Sequence, residues 1–187
     1  MSLTILTGLS GVGKSTVLEE AMLLSDKDYT VINYGDKMFE ISKERDLVET
    51  RDEMKEIGTE TYKEIQAEAA EKIFELSKDK DVILDTHATI KTPHGYIPGL
   101  PRWSVEQLNP NKIIMLQASA EEIFERTKED DRNREHESVE GIQQYLNIER
   151  EMSAADAVLT GAYLQIINNP DGAAKEAAEK LVKTLKA

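Results

Sequence analysis

The chain has 187 residues, a formal net charge of −13 and no cysteine. That length accommodates one sizeable core and predicts a single domain over residues 1–187. The acidity argues against nucleic acid and anionic membrane surfaces as partners, because phosphate backbones reward basic surfaces. The missing thiols exclude a disulfide scaffold, a thiolate metal site and a cysteine nucleophile. The N-terminus lacks a basic region and its apolar run is short, so no signal peptide is expected. No stretch approaches the length needed to span a bilayer, and the expected location is cytoplasmic.

The first predicted element is a strand at residues 3–6 (LTIL). Directly after it, Gly8-Leu9-Ser10-Gly11-Val12-Gly13-Lys14-Ser15 fits G-x-x-x-x-G-K-[ST] at every fixed position. A helical segment at 15–24 completes the strand–loop–helix context this P-loop motif needs. Glycines let successive backbone N–H groups turn inward around phosphate oxygens. The new helix adds its unpaired amides and positive end. Lys14 supplies a cation for the β- and γ-phosphates of a nucleoside triphosphate, and the Ser15 hydroxyl is placed to ligate Mg²⁺.

A second strand is predicted at 30–34 (TVINY), then a helix at 59–77 whose Tyr62, Ile65, Ala69, Ile73 and Leu76 recur at helical spacing. The third strand, 81–86 (DVILDT), ends in Asp85, the expected second carboxylate for Mg²⁺, acting directly or through water. Residues 92–101 (TPHGYIPGLP) hold three prolines and two glycines. They cannot form helix interior or central strand, so an ordered loop is expected there.

A fourth strand at 112–118 (KIIMLQA) leads to a polar run containing Arg126, Arg132 and Arg134, three of only seven arginines in the chain. Guanidinium forks match phosphate oxygens bidentately and keep their charge. A lid at about 127–138, closing these arginines over a transferring phosphoryl group, is the reading this pattern supports. A helix follows at 138–160, with Ile142, Tyr145, Ile148, Met152, Ala155 and Leu159 as its predicted buried stripe. A fifth strand, 163–168 (YLQIIN), ends the series.

The strands at 81–86 and 112–118 carry three and four consecutive apolar residues (82–84 and 113–116), as in parallel sheets buried on both faces. The expected architecture is α/β, a three-layer P-loop NTPase fold with a five-stranded parallel sheet and helices on both faces. A GTPase should carry N-K-x-D; the nearest stretch, Asn168-Asn169-Pro170-Asp171, has asparagine at the lysine position. A small-molecule kinase remains, beside a nucleotide-binding regulatory module and a mechanical ATPase, which would need a larger chain or a partner-binding surface.

Tyr34-Gly35-Asp36, Arg51-Asp52-Glu53-Met54, Asp85-Thr86-His87 with Lys91-Thr92-Pro93, and Gly95-Tyr96-x-Pro98-Gly99-Leu100-Pro101 together resemble archaeal-type adenylate kinases. Arg132-Asn133-Arg134 and Val158-Leu159-Thr160-Gly161 fit the same family, and the resemblance covers about residues 3–187. It implies a helical AMP-binding region at about 36–80, a short lid, and the Mg²⁺-dependent reaction ATP + AMP ⇌ 2 ADP. Several members are trimers, so it also implies a homo-oligomer.

Carried onto this chain, the resemblance implies that Gly8 to Ser15 and Thr16 bind ATP and that Lys14 stabilises transfer. Arg126, Arg132 and Arg134 would surround the γ-phosphoryl group, and Asp36 and Arg51 lie in the AMP-holding segment. The chain departs from the bacterial pattern in two places. After Asp85 stands Thr86-His87-Ala88-Thr89 instead of G-F-P-R, and Phe39 replaces an arginine three residues after Asp36. The candidates for holding AMP are therefore Asp36, Arg51, His87 and Lys91, with Arg102 a further one. Attack by an AMP phosphate oxygen needs no general base, because that oxygen is already ionised. For an alcohol acceptor, Asp36 would be the base.

Overall fold

The computed structural model describes residues 1–128 and 138–187. In β1 (Leu3–Thr7) every residue is buried, and alternate side chains serve different layers. Leu3 and Ile5 join one apolar cluster and Leu6 joins the other. The same alternation holds for Val82 and Leu84 against Ile83 in β3 (Val82–Asp85), and for Ile113 against Ile114 and Leu116 in β6 (Lys112–Gln117). A strand buried on both faces has no polar side to keep, which explains the continuous apolar runs.

These strands join β2 (Thr30–Asn33) and β7 (Tyr163–Asn168) in a five-stranded sheet ordered β2-β3-β1-β6-β7, with every pairing parallel. All five expected strands are present, although Tyr34 already belongs to the following helix. Parallel strands need crossovers, and the helices supply them. Helix α1 (Lys14–Leu24) and α7 (Ala174–Lys186) pack on one face with α5 (Ala120–Lys128) and the first half of α6 (Val139–Thr160). Helices α2 (Tyr34–Glu44), α3 (Thr59–Asp79) and α4 (Arg102–Leu108) pack on the other, with a 3₁₀ turn at Asp52–Glu56. The predicted stripe of α3 holds: Ile65, Ala69 and Ile73 are buried, and Tyr62 and Leu76 pack at its margins.

Two expectations are corrected. Residues 92–101 are not simply a loop, because β4 (Thr89–Thr92) and β5 (Gly95–Pro98) form an antiparallel hairpin separate from the main sheet. Its prolines sit where no central ladder needs their missing N–H: Pro93 in the two-residue turn and Pro98 at the strand end. Gly95 takes a φ of 124° at the return, and Thr92 Oγ1 donates to its carbonyl.

The second correction concerns α6, whose buried row is Ile142, Leu146, Glu149, Ser153 and Asp156. Tyr145, Ile148 and Met152 are half-buried, while Ala155 and Leu159 are exposed. The true row has equally good helical spacing but is polar in its second half. There it meets the loop after β1 and the turn after β3 rather than hydrocarbon. A hydrophobic stripe therefore selected the wrong side of this helix.

Candidate active site

Adjacent strands β1 and β3 send their chains to opposite layers, β1 into α1 and β3 towards the hairpin and α4. A crevice opens beyond the carboxyl ends of two such strands, the usual ligand position in open α/β sheets. Register fixes what meets there: Leu6 lies opposite Asp85, and Asp85 opposite Asn33.

The loop from Gly8 to Lys14 is anchored by its buried Leu9 and Val12, leaving backbone groups to form the binding surface. Gly8 has a φ of 146°, and a Cβ there would lie 2.5 Å from the Leu116 carbonyl oxygen, so only glycine fits. Gly13, at φ 87°, forms the N-cap of α1. Asn169 Nδ2 donates to the Val12 carbonyl at 2.8 Å and braces the loop from behind. Ser10, Ser15 and Thr16 are open to solvent, the last two on the first turn of α1.

Lys14 Nζ donates to the Gly8 carbonyl at 2.6 Å and lies 3.9 Å from Asp85 Oδ1. Asn33 Nδ2 holds the other Asp85 oxygen at 3.1 Å, while Oδ1 is buried and accepts no hydrogen bond among the described residues. His87 Nδ1 lies 2.8 Å from the same Gly8 carbonyl. A carbonyl only accepts, so the bond requires the proton on Nδ1.

His87 also lines a cavity of about 390 Å³ with Arg51, Gly35, Tyr62, Gln66, Met38 and Ile90. Arg51 pairs with Asp36, whose amide is capped by Asn33 Oδ1. Arg51 lies so close to Gly35 that a Cβ on Gly35 would collide with the guanidinium. Lys91 and Arg102 do not line this cavity. Lys91 is exposed on β4 with its N–H on the Tyr145 hydroxyl, and Arg102 pairs with Glu106 along α4.

Arg126, at the end of α5, bonds Asp171 and the Asn169 carbonyl and lies 3.4 Å from the carbonyls of Gly11 and Val12. Its place is the outer wall of the loop. Arg132 and Arg134, with most of the expected lid at about 127–138, lie outside the described residues.

Sequence reasoning missed Glu149. Fully buried on α6, its Oε1 accepts from the amides of Gly8 (3.1 Å) and Ala88 (2.9 Å), and its Oε2 from Thr89 (2.9 Å). Burial pushes its pKa above the ordinary value, against the pull of these amides and the Lys14 charge. Three N–H donors favour the ionised form, because hydrogen bonds to a carboxylate stabilise its charge. One turn on, Ser153 Oγ shares a 3.1 Å hydrogen bond with Thr7 Oγ1. Asp156, about one turn further on the same face, is pushed up to about 7 by burial and by Glu149. The signal was available: Glu149 repeats the four- and three-residue steps of Ile142 and Leu146.

Residues 7–143 match the AAA domain family. The chain is 41% identical to the adenylate kinase of Methanococcus vannielii, covering 99% of this chain and 98% of that one. It is likewise 41% identical to the adenylate kinases of Methanocaldococcus jannaschii (97% of each chain) and Methanothermobacter thermautotrophicus (99% of this chain, 100% of that one). Among solved structures, the shikimate kinase of Bacteroides thetaiotaomicron superposes with a TM-score of 0.62 at 16% identity, covering 100% and 99% of the two chains. At that identity the likeness speaks to the fold: a P-loop kinase sheet with its helices. Full-length kinship at this level, together with a P-loop set beside a second cavity, places the chain in the archaeal adenylate kinases.

Proposed function

We propose that the chain catalyses ATP + AMP ⇌ 2 ADP, with ATP on the loop from Gly8 to Thr16 and AMP in the cavity beside it. One observation carries this reading. Lys14 and His87 bond the same Gly8 carbonyl, and His87 is also a wall of the cavity, so donor loop and acceptor space share one crevice. In-line transfer between two nucleotides needs that adjacency more than it needs an acid or base.

Lys14 would leave the Gly8 carbonyl for the β- and γ-phosphates. Arg51 and His87 would hold the AMP phosphate, with Asp36 steering Arg51; Lys91, which does not line the cavity, is the fourth proposed AMP contact. Arg132 and Arg134 would add charge from the lid, and Arg126 from the outer wall of the loop, exchanging Asp171 for phosphate. Mg²⁺ fits the donor set. Asp85 Oδ1 is a buried carboxylate oxygen without a hydrogen bond among the described residues, and Ser15 opens α1 beside the loop. Mg²⁺ is commonly held by one or two such oxygens plus phosphates and water. When bound, it would neutralise charge on the β- and γ-phosphate oxygens. No described helix is long and apolar enough to cross a membrane. A cytoplasmic homo-oligomer, a trimer by resemblance, completes the proposal.

The deciding experiment offers ATP and Mg²⁺ with AMP, CMP, UMP, GMP or no acceptor, and follows ADP. Rapid turnover is expected with AMP. Turnover with CMP but not AMP would overturn the proposal in favour of another monophosphate kinase, and acceptor-independent hydrolysis would point to a regulatory module.

A further inference from the structure

Glu149 joins the two halves of the crevice. Its Oε1 bonds Gly8 in the donor loop and Ala88 just after His87, and its Oε2 bonds Thr89 at the start of the hairpin. The His87 ring closes the circuit, because its Nδ1 bonds the Gly8 carbonyl. Gly8 is therefore held on both sides, through its N–H by Glu149 and through its carbonyl by His87 and Lys14. The glycine has few conformational restraints of its own at φ 146°. What fixes the loop's first phosphate-facing turn must come from these neighbours.

We infer that Glu149 is a positioning residue for phosphoryl transfer: it sets the distance between the donor loop and the His87 wall of the acceptor cavity through its hydrogen bonds to Gly8, Ala88 and Thr89. It touches neither nucleotide and acts through the groups it holds. This rests on the proposed reaction for its kinetic meaning, while its geometry stands on the unligated protein. A buried carboxylate is an expensive way to hold three amides if stability alone were at stake, since its desolvation cost offsets much of what the bonds return. It is an effective way to hold them at one spacing, because a carboxylate gives two acceptor oxygens in a rigid plane and no donor.

The chemistry of Glu149→Gln makes it the informative variant. The carboxamide has the same shape, and its oxygen can serve Gly8 and Ala88. Its NH₂ then faces the Thr89 N–H, donor against donor. The reverse orientation frees Gly8 and Ala88 instead. Either way at least one of the three bonds gives way to a donor facing a donor, and the grip on the crevice loosens while the volume is kept.

The test combines steady-state kinetics with ¹⁵N spectra of the His87 ring in nucleotide-free protein. For Glu149→Gln the expected result is a fall in kcat of about 10- to 100-fold, the scale on which misplacement by an ångström acts. The Michaelis constants for ATP and AMP should stay within about threefold, as for an interaction realised only in the transition state. In a His87→Ala background the same substitution should cost far less. The wild-type ring should carry its proton on Nδ1, and the variant should show a mixture of tautomers. Where the Gln variant does not fold, Glu149→Asp carries the same measurements, since it keeps the charge and shortens the reach.

An unchanged kcat, or an equal loss with and without His87, would overturn the inference. So would a wild-type ring protonated on Nε2 alone, which needs no variant at all. A wild type that makes no ADP from ATP and AMP would overturn the proposed reaction instead, leaving the ring spectrum to judge the clamp.

Discussion

Gly8 and Lys14 define what single residues contribute to the crevice. The Gly8 backbone combines a left-handed φ with a carbonyl neighbour where a Cβ would stand. Gly8→Ala should therefore destabilise the fold by about 2–3 kcal/mol, the order of one strained non-glycine residue plus a displaced neighbour. A urea titration measures it, and an unchanged midpoint would contradict the close approach to Leu116. Lys14→Ala should instead spare stability, because Lys14 contributes a cation rather than packing. Turnover should fall by about 10²–10³-fold, the usual cost of losing a positioned charge at a developing anion. A normal melting curve with that loss is the expected pair of results. The glycine and lysine roles were legible in sequence because the P-loop is a local motif, complete within eight residues. Glu149 was not, because its partners Gly8, Ala88 and Thr89 lie 141, 61 and 60 residues away.

Elements were read with uneven success, and the reasons are physical. The central strands β1, β3 and β6 are rich in buried apolar residues, and the less buried edge strands β2 and β7 still carry short β-branched runs, so all five sheet strands were legible. The hairpin of β4 and β5 was not, since prolines and glycines exclude a central strand without excluding a small peripheral one. In α6 two candidate faces compete at the same period, and the hydrophobic one is the less buried towards the helix end.

That buried polar face carries a pH dependence. Asp156 sits near 7 in the fold against an ordinary value of 3.8, with burial the larger cause and the Glu149 charge the second. A carboxyl whose folded pKa is raised binds its proton more tightly in the native state than in the unfolded chain. Its contribution is therefore neutral below about 3.8 and becomes increasingly destabilising as pH rises towards 7. Titrating α6 cannot be reduced to this one group, because Glu149 faces it along the helix and is itself raised by burial. Asp156→Asn should gain stability over the wild type as pH increases from 4 to 8. Urea midpoints across that range check it; a gap that does not widen with pH would refute the assignment to Asp156.

At the scale of the whole molecule, an acidic chain concentrates cations where phosphates are expected to meet. Lys14, Arg51 and Arg126 surround the crevice or its outer wall, against a net charge of −13. Such a surface repels polyanions that do not fit. Apolar exposure is also uneven: Val158, Leu159 and Tyr163 are 85%, 46% and 81% exposed around the turn that ends α6 and begins β7. Isolated exposed apolar residues need no explanation, but three within six positions suit the homo-oligomer proposed above. Sedimentation should report a mass that is a multiple of 21.0 kDa. Val158→Glu should reduce it to that of the single chain, and an unchanged mass would move the contact elsewhere.

The circuit through Glu149 has a consequence in time as well as in space. During synthesis the nucleotide loop is made long before α6, yet the carboxylate that holds Gly8 comes from residue 149. Until α6 has emerged and packed, the amides of Gly8, Ala88 and Thr89 lack their shared acceptor. The earliest-made part of the crevice therefore reaches its working geometry among the last. A nascent chain could form β1 and α1 locally, but it would not yet hold the spacing on which transfer depends. The sheet's crossover topology thus delays phosphate chemistry until the domain is nearly complete.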